Sequence, residues 1–241
     1  HRVTDVAVDW LKRPHQRPFC MILGQKAPHG PFVPEKKYED AFKDVEIEKP
    51  PTAYDFYEGK PSWVRERLKT WHGIEGNLYG FNEFVPFVRN YHAVIPSVDD
   101  SVGRVYEALE ETGELDNTLL VFTSDNGFLL GEHGSIDKRT MWEESIRVPM
   151  LVRYPELIPE PRVVEEMASN TDLAPSIIDI CGARTLPRCH GLSWKDLVAG
   201  RPTYWRTAWY YEYNFEDEFP YTPNVRGVRT DSWKYIHYPD G

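Results

Sequence analysis

A carboxylate and a carboxamide stand side by side at Asp125-Asn126, directly after the apolar run Leu119-Leu120-Val121-Phe122-Thr123-Ser124 and just before Gly127. Two hard oxygens at the end of a short buried strand suit a divalent cation such as Ca²⁺, and Gly127 would let the backbone turn sharply beneath them. The same three residues also make an ordinary Asp-Asn-Gly turn, so the spacing alone leaves both readings open. An imidazole and an ammonium follow in Gly131-Glu132-His133-Gly134 and Lys138. A second imidazole, His29, sits in Ala27-Pro28-His29-Gly30-Pro31, where flanking prolines stiffen the loop. Taken alone, a loop histidine is more often a solvated side chain.

The elements that must position these groups can be read from periodicity. From Phe84 to Thr112 the residues Val94, Val98, Val102, Val105 and Leu109 recur at helical spacing, Pro96 should bend the helix, and Gly113 supplies its stop. Asp99 and Asp100 lie within it but point about 100° apart, which predicts a solvated or salt-bridged face, not a paired-carboxylate site. Helix, turn 114–118 and strand Leu119–Thr123 form the αβ half of a doubly wound unit, so the predicted class is α/β with ligands at the carboxyl ends of strands. Phe19–Leu23 predicts a second buried strand leading to His29. Residues 38–80 lack clear periodicity apart from a helical piece over Ser62–Trp71, and an excursion of that length reads as a specificity loop or lid. With Phe128, Leu129 and Trp142 it is expected to shape a pocket.

Further on, Val163–Ser169 predicts a strand. Asn170, Thr171 or Asp172 should cap a helix running to Cys181 with its buried side at Leu173, Ile177 and Ile180, and Gly182 should end it. Ser193–Ala199 predicts a short helix closed by Gly200. From Thr207 the aromatic runs Trp209–Tyr213, Val225–Thr230 and Trp233–Tyr238 read as strands, the last two a hairpin over Asp231-Ser232. Sheet core and interface packing explain so many aromatics better than sugar stacking does.

A chain of 241 residues can hold one large α/β domain with a small appendage. The net charge of −10 argues against a nucleic-acid partner, because phosphate binding needs a surplus of Lys and Arg. There is no apolar run of membrane-spanning length. Cys20, Cys181 and Cys189 show no zinc spacing and are expected to pack, with a Cys181–Cys189 bridge left open. The chain begins at His1 with no leader pattern, which predicts that the native N-terminus lies elsewhere and leaves the compartment unread.

Taken in order, several segments together resemble the sulfatase family of the alkaline-phosphatase-like fold. They are Ser97-Val98-Asp99-Asp100-Ser101-Val102, Thr112–Thr118, Asp125-Asn126-Gly127, Gly131-Glu132-His133-Gly134, Ile136–Glu143, Ile146–Arg153 and Asn170–Ile180. The pattern looks most like N-acetylglucosamine-6-sulfatases and their endosulfatase relatives. The resemblance implies Asp125 and Asn126 as calcium ligands, Lys138 as the lysine that contacts the sulfate group, and His29 as the histidine near the nucleophile and leaving oxygen. His133 occupies the Gly-x-His position shared with choline-sulfatase-like relatives and is implied to bind substrate. Sulfate ester cleavage moves charge onto nonbridging and leaving oxygens, which a divalent cation, a lysine and a protonated imidazole can stabilise. The implied partner is a sulfated sugar or glycan, and a periplasmic, secreted or lysosomal setting fits the family. Residues 1–203 are implied to belong to the catalytic α/β domain and 204–241 to begin a small C-terminal antiparallel sheet subdomain.

One departure is large. Family members make a formylglycine nucleophile from a Cys/Ser-x-Pro-x-Arg motif, preceded by further metal-binding aspartates, and no cysteine or serine here begins such a motif. The expectation is therefore a C-terminal portion of a sulfatase whose nucleophile, arginine and remaining calcium ligands come from the N-terminal half of the same enzyme, and which alone is inactive. Two other expectations stay open: a non-catalytic relative that binds anionic glycans, and a phosphoesterase or phosphonate hydrolase on the same scaffold.

Overall fold

A computed structural model describes residues 2–54, 58–184 and 187–239. Residues 55–57 of the expected specificity loop lie outside the described residues. The chain separates into two compact units: residues 1–118 with 128–138, and residues 119–127 with 139–241.

The first unit is helical. Helices α1 (Arg2–Leu11), α2 (Ser62–Glu66), α3 (Phe84–Val94) and α4 (Pro96–Glu111) are joined by 3-10 turns at Lys36–Tyr38, Pro51–Tyr54, Arg67–Lys69, Leu78–Gly80 and Leu115–Asn117. The predicted long helix is two helices, with Pro96 at the first position of α4, where its missing N–H costs least. Gly113 ends α4 at φ +74°, and Glu114 N–H reaches back to Leu109 C=O at 2.9 Å, which satisfies an orphan carbonyl. Small residues decide the α1–α4 contact. Thr4, Ala7 and Leu11 are buried on α1, whereas Val6 is 71% exposed. On α4 the buried residues are Ser101, Ala108 and Leu109, and Val102 is exposed. Thr4 Oγ1 and Ser101 Oγ lie 2.6 Å apart, a hydrogen bond that valine spacing cannot reveal. Asp100 carries a salt bridge from Lys37 and accepts from Tyr38 at 2.6 Å. These hydrogen bonds hold its carboxyl below the usual aspartate range, as the expected salt-bridged face requires.

Phe32 anchors an aromatic cluster in this unit, with ring centroids 5.0 Å from Tyr79, 5.6 Å from Phe87, 5.5 Å from Tyr91 and 6.2 Å from Phe128. Phe19–Leu23 does not form the expected strand: it has no regular secondary structure, and Ile22 is 94% exposed. An apolar run supplies only one face and one edge, and strand status needs a hydrogen-bonded partner. Leu129 is fully buried, so it is core and not pocket lining.

The second unit holds both sheets. Strand β1 (Leu120–Thr123) pairs antiparallel with β2 (Met150–Arg153), Val121 opposite Val152. One face, with Val121, Met150 and Val152, packs with Leu119, Leu173 and Ile180 on the buried cluster Trp194, Leu197, Val198 and Trp205. On the other face Leu151 is 66% exposed, so the strand pair is packed on one side only. Helix α5 is Glu143–Ile146, α6 is Leu173–Ile180 and α7 is Lys195–Val198. Val163–Ser169 is irregular, with Val163 79% exposed, and forms no strand. Ser169, one residue before the predicted caps, caps the 3-10 turn leading into α6 and makes a capping box with Asp172. Strands β3 (Ala208–Tyr213), β4 (Val225–Thr230) and β5 (Lys234–His237) form an antiparallel meander, with the β4–β5 hairpin over Asp231-Ser232 as expected. The three cysteines are exposed and free instead of packed.

Asp172 is the polar centre of this unit. It is fully buried, accepts from Ser169 N–H and Leu192 N–H at 2.8 Å each, and meets the Arg206 guanidinium in two contacts of 2.5 Å. Removing one partner from a buried pair strands the other charge. Asp172→Ala should destabilise the protein by about 3–5 kcal/mol. Urea unfolding measures this as a lower midpoint at unchanged slope, and a midpoint equal to wild type would refute the assignment.

Candidate functional site

The second unit carries Asp125 and Asn126. Both follow β1 in a loop whose shape is set by hydrogen bonds the sequence does not announce. Asn170 Nδ2 donates to the carbonyls of Ser124 at 2.9 Å and Asp125 at 3.0 Å, fixing the loop from the α6 side. Asp125 Oδ1 accepts from Asn126 N–H at 3.0 Å, and Asn126 Nδ2 donates to Gly127 C=O at 2.7 Å. The backbone bends at Asp125 but does not close the Asp-Asn-Gly turn of the alternative reading, and the exposed Asp125 carboxylate and the half-buried Asn126 stand as oxygen donors of the type calcium prefers. Gly127 is needed for a different reason from a sharp turn. A Cβ there would fall 2.0 Å from the Glu144 carbonyl, and Gly127 N–H bonds Ser145 C=O at 2.9 Å. Among the described residues no group of three or more His, Cys, Asp or Glu side chains could hold a metal ion. Asp125 and Asn126 therefore fit calcium in donor type and fall short of the six to eight oxygens it takes.

The first unit carries His29, His133 and Lys138. His29 Nδ1 lies 2.9 Å from Lys26 Nζ and 3.0 Å from Gly30 C=O, and both flanking X-Pro bonds, Ala27-Pro28 and Gly30-Pro31, are cis. A Cβ on Gly30 would meet the Tyr79 ring at 2.8 Å, so the loop lies directly on the aromatic cluster. His133 is in a left-handed conformation, φ +53°, between Gly131 at +110° and Gly134 at +68°. A non-glycine residue held there costs of order 1–3 kcal/mol, which the surrounding contacts must offset. Part of the offset is visible: Leu130 N–H bonds Glu132 Oε2 at 2.6 Å, and Ile74 N–H bonds Gly134 C=O at 2.9 Å. Lys138 is half-buried and follows directly on Asp137, which is 1% exposed and bonded to the equally buried Arg67 at 2.8 Å. Spacing reasoning missed Arg67, Asp137, Lys26 and Asn170. Asp137 stood next to a motif lysine, and Asn170 was read only as a helix cap and not as a clamp on the Asp125 loop.

Glu143 closes the same motif segment, within the second unit. Its Oε1 accepts from Arg229 Nε and Lys234 Nζ at 3.0 Å each, tying α5 to β4 and β5. A Cβ on Gly227 of β4 would strike Met141 Sδ at 2.0 Å, so the meander lies in close contact with the segment after Lys138.

A family profile described as Sulfatase matches residues 1–183, and one described as N-sulphoglucosamine sulphohydrolase, C-terminal, matches residues 131–240. The chain belongs to the sulfatase family. Among curated relatives it is 30% identical to an N-acetylglucosamine-6-O-sulfatase of Bacteroides thetaiotaomicron, over 98% of this chain and 53% of the relative. The human N-acetylglucosamine-6-sulfatase is 33% identical over 75% of this chain and 32% of its own length. A solved structure of a protein in complex with its substrate D-glucosamine-2-N,6-O-disulfate superimposes with a TM-score of 0.86 at 28% identity, covering 98% of this chain and 60% of that one. The phosphonate monoester hydrolase of Agrobacterium radiobacter shares the fold at a TM-score of 0.82 and 23% identity, over 99% of this chain and 52% of its own. The fold is the α/β alkaline-phosphatase-like one, and the N-acetylglucosamine-6-sulfatase branch suggested by the motifs is supported. The chain spans 53% of the first of these relatives. None of its described helices is long and apolar enough to cross a membrane.

Burial pushes the Glu143 carboxyl up, and the opposing pull of Lys234 and then Arg229 outweighs it, so the group sits below its usual value of 4.5. A carboxylate depressed by folding stabilises the native state above its unfolded pKa and loses that contribution as pH falls through the folded value. Glu143→Gln should therefore melt at a lower temperature than wild type at neutral pH, with the gap closing below about pH 4.5. A gap independent of pH in thermal melts would show that the ion pairs do not hold the meander.

Proposed function

We propose that this chain forms part of a sulfuric ester hydrolase that removes sulfate from a sulfated sugar or glycan. The observation that carries the reading is the superposition, over nearly the whole chain, on a protein solved with its disulfated glucosamine substrate. In this reading Asp125 and Asn126 are two of the oxygen donors for a calcium ion, with further aspartates and a formylglycine nucleophile supplied by an N-terminal half that this sequence does not contain. The cation, when bound, offsets negative charge on the sulfate oxygens. Lys138 contacts the sulfate as a point charge that strengthens as charge develops in the transition state. His29 or Lys138 passes a proton to the departing sugar oxygen. His133 contacts substrate beside Lys138 in sequence, and residues 204–241 begin a C-terminal subdomain. The 241-residue chain alone is inactive, because a lysine and two metal donors leave the reacting centre without a nucleophile.

The shared fold with a phosphonate monoester hydrolase and 29% identity to a multifunctional alkaline phosphatase superfamily protein of Trinickia caryophylli favour one rival, a phosphoryl ester hydrolase. Sulfate and phosphate release from otherwise identical sugar esters separates the two. The full-length, formylglycine-bearing protein is expected to release sulfate from a 6-sulfated glucosamine and to lose activity on calcium chelation. Phosphate release alone would favour the rival, and release of neither would favour a non-catalytic binder of anionic glycans. In the active protein Lys138→Ala should lower kcat/KM by about 3 kcal/mol, roughly a hundredfold. An unchanged kcat/KM would remove Lys138 from the reaction.

A further inference from the structure

We infer that Arg67 is a positioning residue that sets Lys138 by clamping its neighbour Asp137. The inference rests on the reading of Lys138 as the sulfate-contacting group and adds a residue far away in sequence on which that contact depends. Residues 134–137 are held on both edges. On one side Gly73 bridges Ser135, Ile74 N–H bonds Gly134 C=O and Ile136 N–H bonds His72 C=O at 2.9 Å. On the other, Gly131 N–H bonds Ser135 C=O and Leu129 N–H bonds Asp137 C=O, also at 2.9 Å. The Leu129 bond to the Asp137 carbonyl lies furthest along this stretch, and Lys138 is the next residue. Lys138 leaves from the Asp137 peptide, so whatever anchors Asp137 also bears on Lys138.

Asp137 turns inward. Its Oδ2 accepts from Arg67 Nη2 at 2.8 Å with both side chains 1% exposed, and His72 Nδ1 lies 3.6 Å from the same oxygen. Arg67 is itself fixed by a tightly wound turn. Thr70 N–H bonds Arg67 C=O and Glu75 N–H bonds Leu68 C=O, each at 3.0 Å. A Cβ on Gly73 would come within 2.1 Å of Leu68 C=O, and one on Gly76 within 1.7 Å of Thr70 C=O, so the turn admits only glycine at these points. The Trp63 ring lies 5.8 Å from the guanidinium carbon. A carboxylate buried this deeply is tolerable only beside a matching charge. Without the guanidinium Asp137 would swing toward water and carry the adjoining Lys138 backbone with it. A lysine misplaced by an ångström loses most of its effect on a transition state.

The test is a double-mutant cycle in the full-length active enzyme, reading kcat and KM for sulfate release from a 6-sulfated glucosamine, with melting temperature recorded for each variant. Arg67→Met should lower kcat/KM by roughly a hundredfold, and Arg67→Lys, which keeps the charge but loses the planar fork, should recover part of it. In a Lys138→Ala background Arg67→Met should cost nothing further, because there is no lysine left to misplace. An equal loss in both backgrounds, or wild-type kcat/KM in a folded Arg67→Met protein, overturns the inference and leaves the sulfatase reading standing. If Arg67→Met does not fold, Arg67→Lys is carried through the same cycle with the same criterion. Wild-type kcat/KM in Lys138→Ala overturns this inference together with the role of Lys138, and no sulfate release by the unmutated enzyme overturns the functional reading as well.

Discussion

A carboxylate removed from water must be met by a charge of opposite sign, and that constraint organises each of the two units. In the first it is Asp137 on Arg67, both almost wholly buried; in the second it is Asp172 on Arg206. Each aspartate also fixes a turn: the segment that ends at Lys138 in one case, and the entry to α6 with its neighbour Asn170 in the other. Asn170 in turn holds the carbonyls of Ser124 and Asp125. The groups with candidate chemistry thus stand on polar anchors as much as on hydrophobic packing. Buried polar matches of this kind tolerate few alternative arrangements, because each alternative leaves a charge stranded.

Glycine supports this design through close approach. Gly127, Gly73, Gly76 and Gly191 each lie with a backbone carbonyl where a Cβ would stand. Main chain can then pack on main chain, and loops without regular secondary structure acquire defined positions. The aromatic cluster around Phe32 does the complementary task under the His29 loop, supplying broad apolar contact where few hydrogen bonds repeat. The C-terminal meander follows the same logic. Gly227 seats β4 against Met141, and Glu143 collects two cations from β4 and β5.

Much of the local structure could be read directly from residue types. Gly113, Gly182 and Gly200 all stop helices in left-handed conformation, and Pro96 opens one, because these residues act through backbone sterics confined to a few neighbours. The alternating aromatic runs after Thr207 became a meander for a similarly local reason. Buried faces were less legible. Val6 and Val102 are exposed while Thr4 and Ser101 are buried, since two helices that approach closely select small side chains. Phe19–Leu23 and Val163–Ser169 carry strand-forming residues but no ladder, since pairing depends on a partner elsewhere in the chain.

The candidate site divides along the same line. Sequence by itself determined the family to which the ordered motifs belong and offered the candidate side chains Asp125, Asn126, His29, His133 and Lys138, because both depend on residue identity and spacing. It also determined that no Cys/Ser-x-Pro-x-Arg nucleophile is present in these residues. Tertiary structure alone decided what holds them: Arg67 behind Asp137, Asn170 over the Asp125 loop, Lys26 beside His29, and the Glu144 carbonyl against Gly127. Except for Lys26, these partners lie well apart in sequence, from 17 residues for Glu144 and Gly127 to 70 for Arg67 and Asp137. Hydrogen bonds and desolvated charges form between whatever the folded backbone brings within about 3 Å, and sequence spacing carries no record of that distance.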